Sequence, residues 1–211
     1  MKTLYSENCH KPWCFCFDFC FLFSTDTRNI SGIDLAFALS AAAVDAEDTF
    51  EKIKDTLDTI IKQYGTDQNR YAVVTFGTST SVIVNFRDGQ AKDDLRKIVQ
   101  QLERPTGDPD IKNLMKEAEK LFENAPSLPG NRRMLVVFID KKSTNSRQQI
   151  KNATQPLFNN NVTIVPAVVG PEVDVDEIDV MVNNKRYIAE CWLPEPETWP
   201  IEIIEKVEQG K

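Results

Sequence analysis

The chain has 211 residues, with 25 Lys plus Arg against 32 Asp plus Glu, a formal net charge of -7, 41% hydrophobic and 27% charged residues. These proportions suit one folded α/β domain with appended segments and exclude a disordered chain; two full domains would be a tight fit. The acidic balance argues against DNA or RNA as partners, because nucleic-acid affinity rests on Lys and Arg neutralising phosphates, and leaves a basic protein surface or plain solubility as its meaning.

The first 30 residues differ in character from the rest of the chain. Cys9, Cys14, Cys16 and Cys20 cluster there beside His10, the only histidine, without zinc-ribbon spacing or a CxxC pair. Residues 13–23 (WCFCFDFCFLF) have the length of a signal-peptide apolar region and follow Lys2 and Lys11, but Asp18 interrupts them. They are also too short and too charged to span a bilayer. The expectation is a poor signal-like or foreign segment over residues 1–30 and a folded domain over 31–209.

Within that domain, short apolar runs alternate with amphipathic ones, which predicts a mostly parallel sheet covered by helices. Residues 33–39 (IDLAFAL) read as a first strand. Residues 45–64 read as a helix, with Phe50, Ile53, Leu57, Ile60, Ile61 and Tyr64 on one stripe and Gly65 ending it. Strands follow at 71–76 and 81–86, separated by four residues, too few for a parallel crossover, so one strand must run antiparallel.

Helices are predicted over 91–102 and 111–122, joined by the turn-rich RPTGDPD. In that loop Asp108 reads as the helix cap, with Pro109 at the first helical position. Residues 134–139 (MLVVFI) have the continuous apolar character of a strand buried on both faces, and they end at Asp140. A helix over 147–158, a strand over 163–169, a short helix over 175–182, a strand around 186–190 and a helix over 199–208 complete the domain. In open sheets of this kind ligands bind beyond the carboxyl ends of the strands, here after Leu39, Phe76 and Ile139.

Neither GxGxxG after the first strand, GxxxxGK[ST] nor GxSxG occurs, and the domain holds no histidine to act as a base, which argues against an enzyme and against nucleotide binding. Three sequons, at Asn29, Asn152 and Asn161, are candidates for glycosylation in the secretory pathway. Trp192, Leu193 and Trp199 read either as core plugs or as a partner surface. Cys191 has no evident partner within the domain, so it is either buried and inert or paired with the N-terminal group or another chain.

The stretches IDLAFALSAAAVDAEDTFEKIKDTL, RYAVVTFGTSTSVIVNF, LERPTGDPDIKNLMKEAEKLF, RMLVVFID and NNVTIVPAVVG together resemble von Willebrand factor type A domains over residues 33–207. The resemblance implies a doubly wound, mostly parallel six-stranded sheet with one antiparallel edge strand and helices on both faces. It also implies a metal-ion-dependent adhesion site, begun by Asp-x-Ser-x-Ser after the first strand. A hard dication there needs an oxygen cage with one position open to a partner carboxylate.

In this chain the matching positions are Ser40, Ala42 and Val44, so the first carboxylate and both serines are replaced. The family's threonine falls at Asp108, with Thr106 near, and the last carboxylate is kept as Asp140. Asp140 alone also reads as a loop carboxylate bonded to nearby backbone N–H groups.

The expectation is therefore a non-catalytic, extracellular adhesion or protein-binding module that engages an extracellular or matrix protein without a metal and does not insert into a membrane. One alternative is weak Ca2+ or Mg2+ binding through Ser40, Asp108 and Asp140. Another is an acidic structural matrix domain in which residues 172–177 (EVDVDE) hold calcium loosely, although such a run also reads as a solvated helix start.

Overall fold

A computed structural model describes residues 32–42, 46–87, 89–125, 128, 130–191 and 196–209. The N-terminal cysteines, His10, the signal-like stretch, Asn29, Val44, Trp192 and Leu193 lie outside them. The strands are β1 (Ile33–Leu39), β2 (Arg70–Phe76), β3 (Thr80–Val84), β4 (Arg132–Lys141), β5 (Val162–Glu172) and β6 (Ala189–Glu190). The α-helices are α1 (Ala46–Tyr64), α2 (Lys92–Gln100), α3 (Ile111–Asn124), α4 (Arg147–Asn159), α5 (Val175–Met181) and α6 (Trp199–Gln209).

The strands form one sheet in the order β3-β2-β1-β4-β5-β6. Every pairing is parallel except β2 with β3, where three residues between Phe76 and Thr80 leave room only for a hairpin. The doubly wound sheet with a single antiparallel edge strand is thus the observed architecture.

Period-two alternation divides the core. Leu35, Phe37 and Leu39 of β1 face a cluster with α1, α2 and α6, whereas Ala36 and Ala38 face one with α3, α4 and α5. The stripe Phe50, Ile53, Leu57, Ile60 and Ile61 on α1 is at most 1% exposed, and each such side chain contributes about 1.5–3 kcal/mol by leaving water. Small alanines on the other face of β1 let α3 and α4 approach closely, and those two helices pack on one another.

At the lower end of the sheet the Arg70 guanidinium grips Asp34 in bidentate fashion (2.8 and 2.6 Å), and Asn131 Nδ2 donates to the same carboxylate at 2.9 Å. Arg70 and Asp34 are both buried. Geometry of this kind is what a buried ion pair needs to offset desolvation.

Two expectations need correction, and one open reading is decided. The strand expected around 186–190 shrinks to Ala189–Glu190, because residues 185–187 form a single 3-10 turn. The cap of α3 is Asp110, which accepts from the Asn113 N–H at 3.0 Å, and not Asp108; the helix begins at Ile111, so Pro109 precedes it. Trp199, the first residue of α6, and Cys191 both lie in the core, so Trp199 is a core side chain, one of the two readings open for it.

Candidate functional site

The carboxyl ends of β1, β2 and β4 meet at one edge of the sheet, and the loops leaving them are tied together by backbone bonds. Gly77 follows β2, and a Cβ there would stand 2.2 Å from the Thr106 carbonyl oxygen. The same contact lets Thr78 N–H donate to Thr106 O at 3.1 Å, so the β2–β3 turn and the α2–α3 loop lie backbone against backbone. Asp110 N–H donates to Gly77 O (3.1 Å) and Thr144 N–H to Pro109 O (3.1 Å), which joins the loop after β4 to the same knot. Arg104 Nε reaches Ala41 O at 3.2 Å and brings in the β1–α1 connection.

At the floor of this knot the Ser40 hydroxyl donates to Asp140 Oδ1 at 3.2 Å, and Ser40 N–H donates to Phe138 O, also at 3.2 Å. Both side chains are buried, at 0% and 1% exposure. Asp140 stands where the β4–β5 register shifts: Ile139 faces Val168 but Lys141 faces Glu172. Such a bulge re-aims a side chain at the end of a strand. The β5 chain comes so close that a Cβ on Gly170 would lie 2.5 Å from the Asp140 carbonyl oxygen.

The expected site residues divide accordingly. Ser40 and Asp140 are brought into contact through their side chains. Ala42 is half-buried nearby in sequence and offers a methyl group. Asp108 is exposed, and its carboxylate pairs with the Lys141 ammonium at 2.9 Å. That hydrogen bond raises the Lys141 pKa, with Asp108, Glu172 and Asp140 adding attraction. Thr106 is exposed, and its carbonyl is engaged by Thr78.

A dication needs lone pairs converging from several oxygens. Here the Ser40 hydroxyl donates to Asp140, the Ala42 side chain offers no oxygen, and Asp108 pairs with the Lys141 ammonium, so of the matched side chains only Ser40, Asp108 and Asp140 bring oxygens, and one of these is already bound to a cation. Among the described residues no group of three or more His, Cys, Asp or Glu side chains is disposed to hold a metal.

The acidic run at 172–177 is likewise occupied. Asp174 caps α5 by accepting from Asp176 N–H at 3.0 Å, pairs with Lys142 at 2.8 Å and lies 3.6 Å from Arg147, which also pairs with Asp176. Glu177 is only 3% exposed and accepts from Ser143 N–H at 2.9 Å. Burial pushes its carboxyl above the usual value.

Lys141, Arg104 and Glu177 therefore shape the site; Glu177 was read only as part of the acidic run at 172–177, and neither Lys141 nor Arg104 stood out in the sequence beforehand. The dipeptide Lys141-Lys142 directly after Asp140 was the available signal: Lys141 pairs with Asp108 and Lys142 with Asp174.

The family profile of the von Willebrand factor type A domain matches residues 34–192. A curated relative, the collagen alpha-5(VI) chain of Mus musculus, is 26% identical over 164 residues, which is 74% of this chain and 6% of that one. Proximal thread matrix protein 1 of the mussel byssus, solved with a zinc-occupied MIDAS motif, superposes with a TM-score of 0.70 at 16% identity, over 84% of this chain and 46% of the other. The manganese-loaded TRAP protein of Plasmodium vivax superposes with a TM-score of 0.64 at 14% identity, over 82% and 74%. At these identities the solved structures speak for the fold alone.

Proposed function

The chain belongs to the von Willebrand factor type A family, and from that premise we propose that it is a non-catalytic extracellular binding module whose knotted loops engage a matrix protein without a metal ion. The proposed unit is residues 31–209, with residues 1–30 outside it. The observation that carries the reading is the floor of the site, where the Ser40 hydroxyl donates to Asp140 while Lys141 pairs with Asp108. A family site built this way recognises its partner by the shape and charge of its loops.

The collagen chain and the byssus protein are matrix proteins by name, which supports the extracellular and matrix part of the proposal. This chain spans 6% of the first and less than half of the second, so the partners of those whole proteins are no guide to its own. No described helix is long and apolar enough to cross a membrane. The domain's lack of histidine and its acidic charge support the absence of catalysis and of nucleic-acid or nucleotide ligands.

The test is binding of the chain to immobilised matrix proteins with and without EDTA. The proposal expects a partner whose affinity chelation leaves unchanged. Complete loss of binding on chelation would instead establish the second reading, weak Ca2+ or Mg2+ held by Ser40, Asp108 and Asp140, for which the supporting observation is that Asp108 and Asp140 both attract the same cation, Lys141.

A further inference from the structure

Two of the three sequons fall on described residues, and their settings differ. Asn152 lies inside α4, where its side-chain oxygen accepts from Gln148 Nε2 at 2.7 Å. Thr154, which completes that sequon, is 0% exposed, and its hydroxyl donates to Lys151 O at 3.0 Å. Positions i and i+2 of a helix do not share a face. The amide and the hydroxyl of this sequon are thus turned apart, and the hydroxyl is sealed in the core.

Asn161 is the residue on which the chain leaves α4 and turns into β5. Its φ of 56° lies in the left-handed region that asparagine tolerates better than most residues, and its N–H donates to Phe158 O at 3.0 Å as the helix closes. It is exposed, and Thr163 of the same sequon is half-buried. Both line one depression of about 410 Å³, together with Asn131, Arg132, Arg133 and Asn160. Asn131 Nδ2 is given to Asp34 and Arg132 Nη1 to Val207 O, so the Arg133 guanidinium and the Asn160 amide are the lining donors that match the hydroxyl and acetamido oxygens of a sugar. It lies at the amino ends of β4 and β5, the end of the sheet away from Ser40 and Asp140, so an attached glycan leaves the knotted loops clear.

We propose that Asn161 is the N-glycosylated residue of the folded domain and that Asn152 is not modified, an assignment that rests on the extracellular reading above. In the transfer, a C–N bond forms between Asn161 Nδ2 and the anomeric carbon of an N-acetylhexosamine carried on a polyprenyl diphosphate. The C–O bond to the diphosphate breaks, the diphosphate departs with that electron pair, and Nδ2 yields one proton to a base of the transferase. No oxidation or reduction is involved.

The experiment expresses the full chain in a secretory mammalian cell behind a cleavable heterologous leader, with Asn29→Gln as background and protease protection as proof of translocation. One mobility step removed by peptide N-glycosidase is expected. It should disappear with Asn161→Gly, which keeps the left-handed turn unstrained, and with Thr163→Ala, and survive Thr163→Ser and Asn152→Gln. Translocated chain without the step, or a step lost with Asn152→Gln, overturns the assignment. If the protein isolated from its own source is cytosolic and carries no glycan while the leader-bearing chain is modified at Asn161, the extracellular reading falls and the acceptor assignment stands.

Discussion

The Lys141 ammonium lies 2.9 Å from the Asp108 carboxylate, so the loop acid nearest to a compensating metal ligand already has its cation, and Lys141 is also drawn electrostatically to Asp140. A divalent ion would have to displace that ammonium and then find oxygens where Ala42 carries a methyl group. The family pattern can be rebuilt to test this. The variant Ser40→Asp, Ala42→Ser, Val44→Ser with Lys141→Ala should gain stability from Mg2+, about 2.7 kcal/mol when the ion is at a hundred times its Kd. The natural chain should melt at the same temperature with millimolar Mg2+, Ca2+ or EDTA. A cation-dependent rise in Tm of the natural chain would sink the metal-independent reading.

At Gly77 the loops meet backbone against backbone, since a Cβ would sit 2.2 Å from Thr106 O. Gly77→Ala should therefore force the β2–β3 turn and the α2–α3 loop apart, at a cost of about 1–3 kcal/mol or more. Gly65 provides the control: its φ is +65° but nothing lies within 4 Å of an added Cβ, so Gly65→Ala carries only left-handed strain of about 1–2 kcal/mol. Urea unfolding measures both. Partner affinity should fall for the Gly77 variant alone, and equal affinities would detach the knotted loops from binding.

Much of this fold was legible in the sequence, and the parts that were not share a cause. The apolar runs of β1 and β4 and the stripe on α1 are local patterns that burial reproduces directly. In RPTGDPD the capping rules are equally content with Asp108 or Asp110. Tertiary bonds decide, because Pro109 O is taken by Thr144 and Asp110 N–H by Gly77, which holds residues 109 and 110 out of the helix. Lys141 and Arg104 were illegible for the same reason: each looks like a solubilising surface charge, and its partner is 33 or 63 residues away.

The Arg70–Asp34 pair carries a prediction about removal of one partner. Arg70→Met leaves a buried carboxylate held only by neutral donors such as Asn131, and should cost about 3–5 kcal/mol. Adding Asp34→Asn should recover part of that loss, since the amide can still meet Asn131 and no charge stays buried. Denaturation of the single and double variants checks this as a thermodynamic cycle. Strict additivity of the two losses would mean that the pair is not coupled.

Glu177 makes a pH-dependent contribution with a definite sign. Burial raises its pKa in the folded protein above the ordinary 4.5, so the native state holds this proton more tightly than the unfolded chain. The stabilisation is fully present below 4.5 and is lost as pH rises through the folded-state pKa. Glu177→Gln keeps an oxygen to accept from Ser143 N–H and removes the titration. It should flatten that stretch of the stability–pH profile and leave stability at neutral pH equal or higher. A less stable variant at neutral pH would mean that attraction to Lys142 and Arg147 outweighs the desolvation.

Cys191 is 1% exposed, and burial pushes its thiol pKa up to about 12. The thiolate is the reactive form, so at pH 8 the folded protein should present almost none of it, and alkylation must wait for an opening that exposes the residue beneath α6. Brief iodoacetamide treatment followed by peptide mass mapping should find Cys191 unmodified in native protein and fully modified in urea. Mapping is required because Cys9, Cys14, Cys16 and Cys20 report separately. Rapid native labelling would contradict the burial. A disulfide from Cys191 to an N-terminal cysteine or to another chain would show instead that α6 lifts far enough for exchange, and the thiol would then be a tether between chain segments rather than a packing atom.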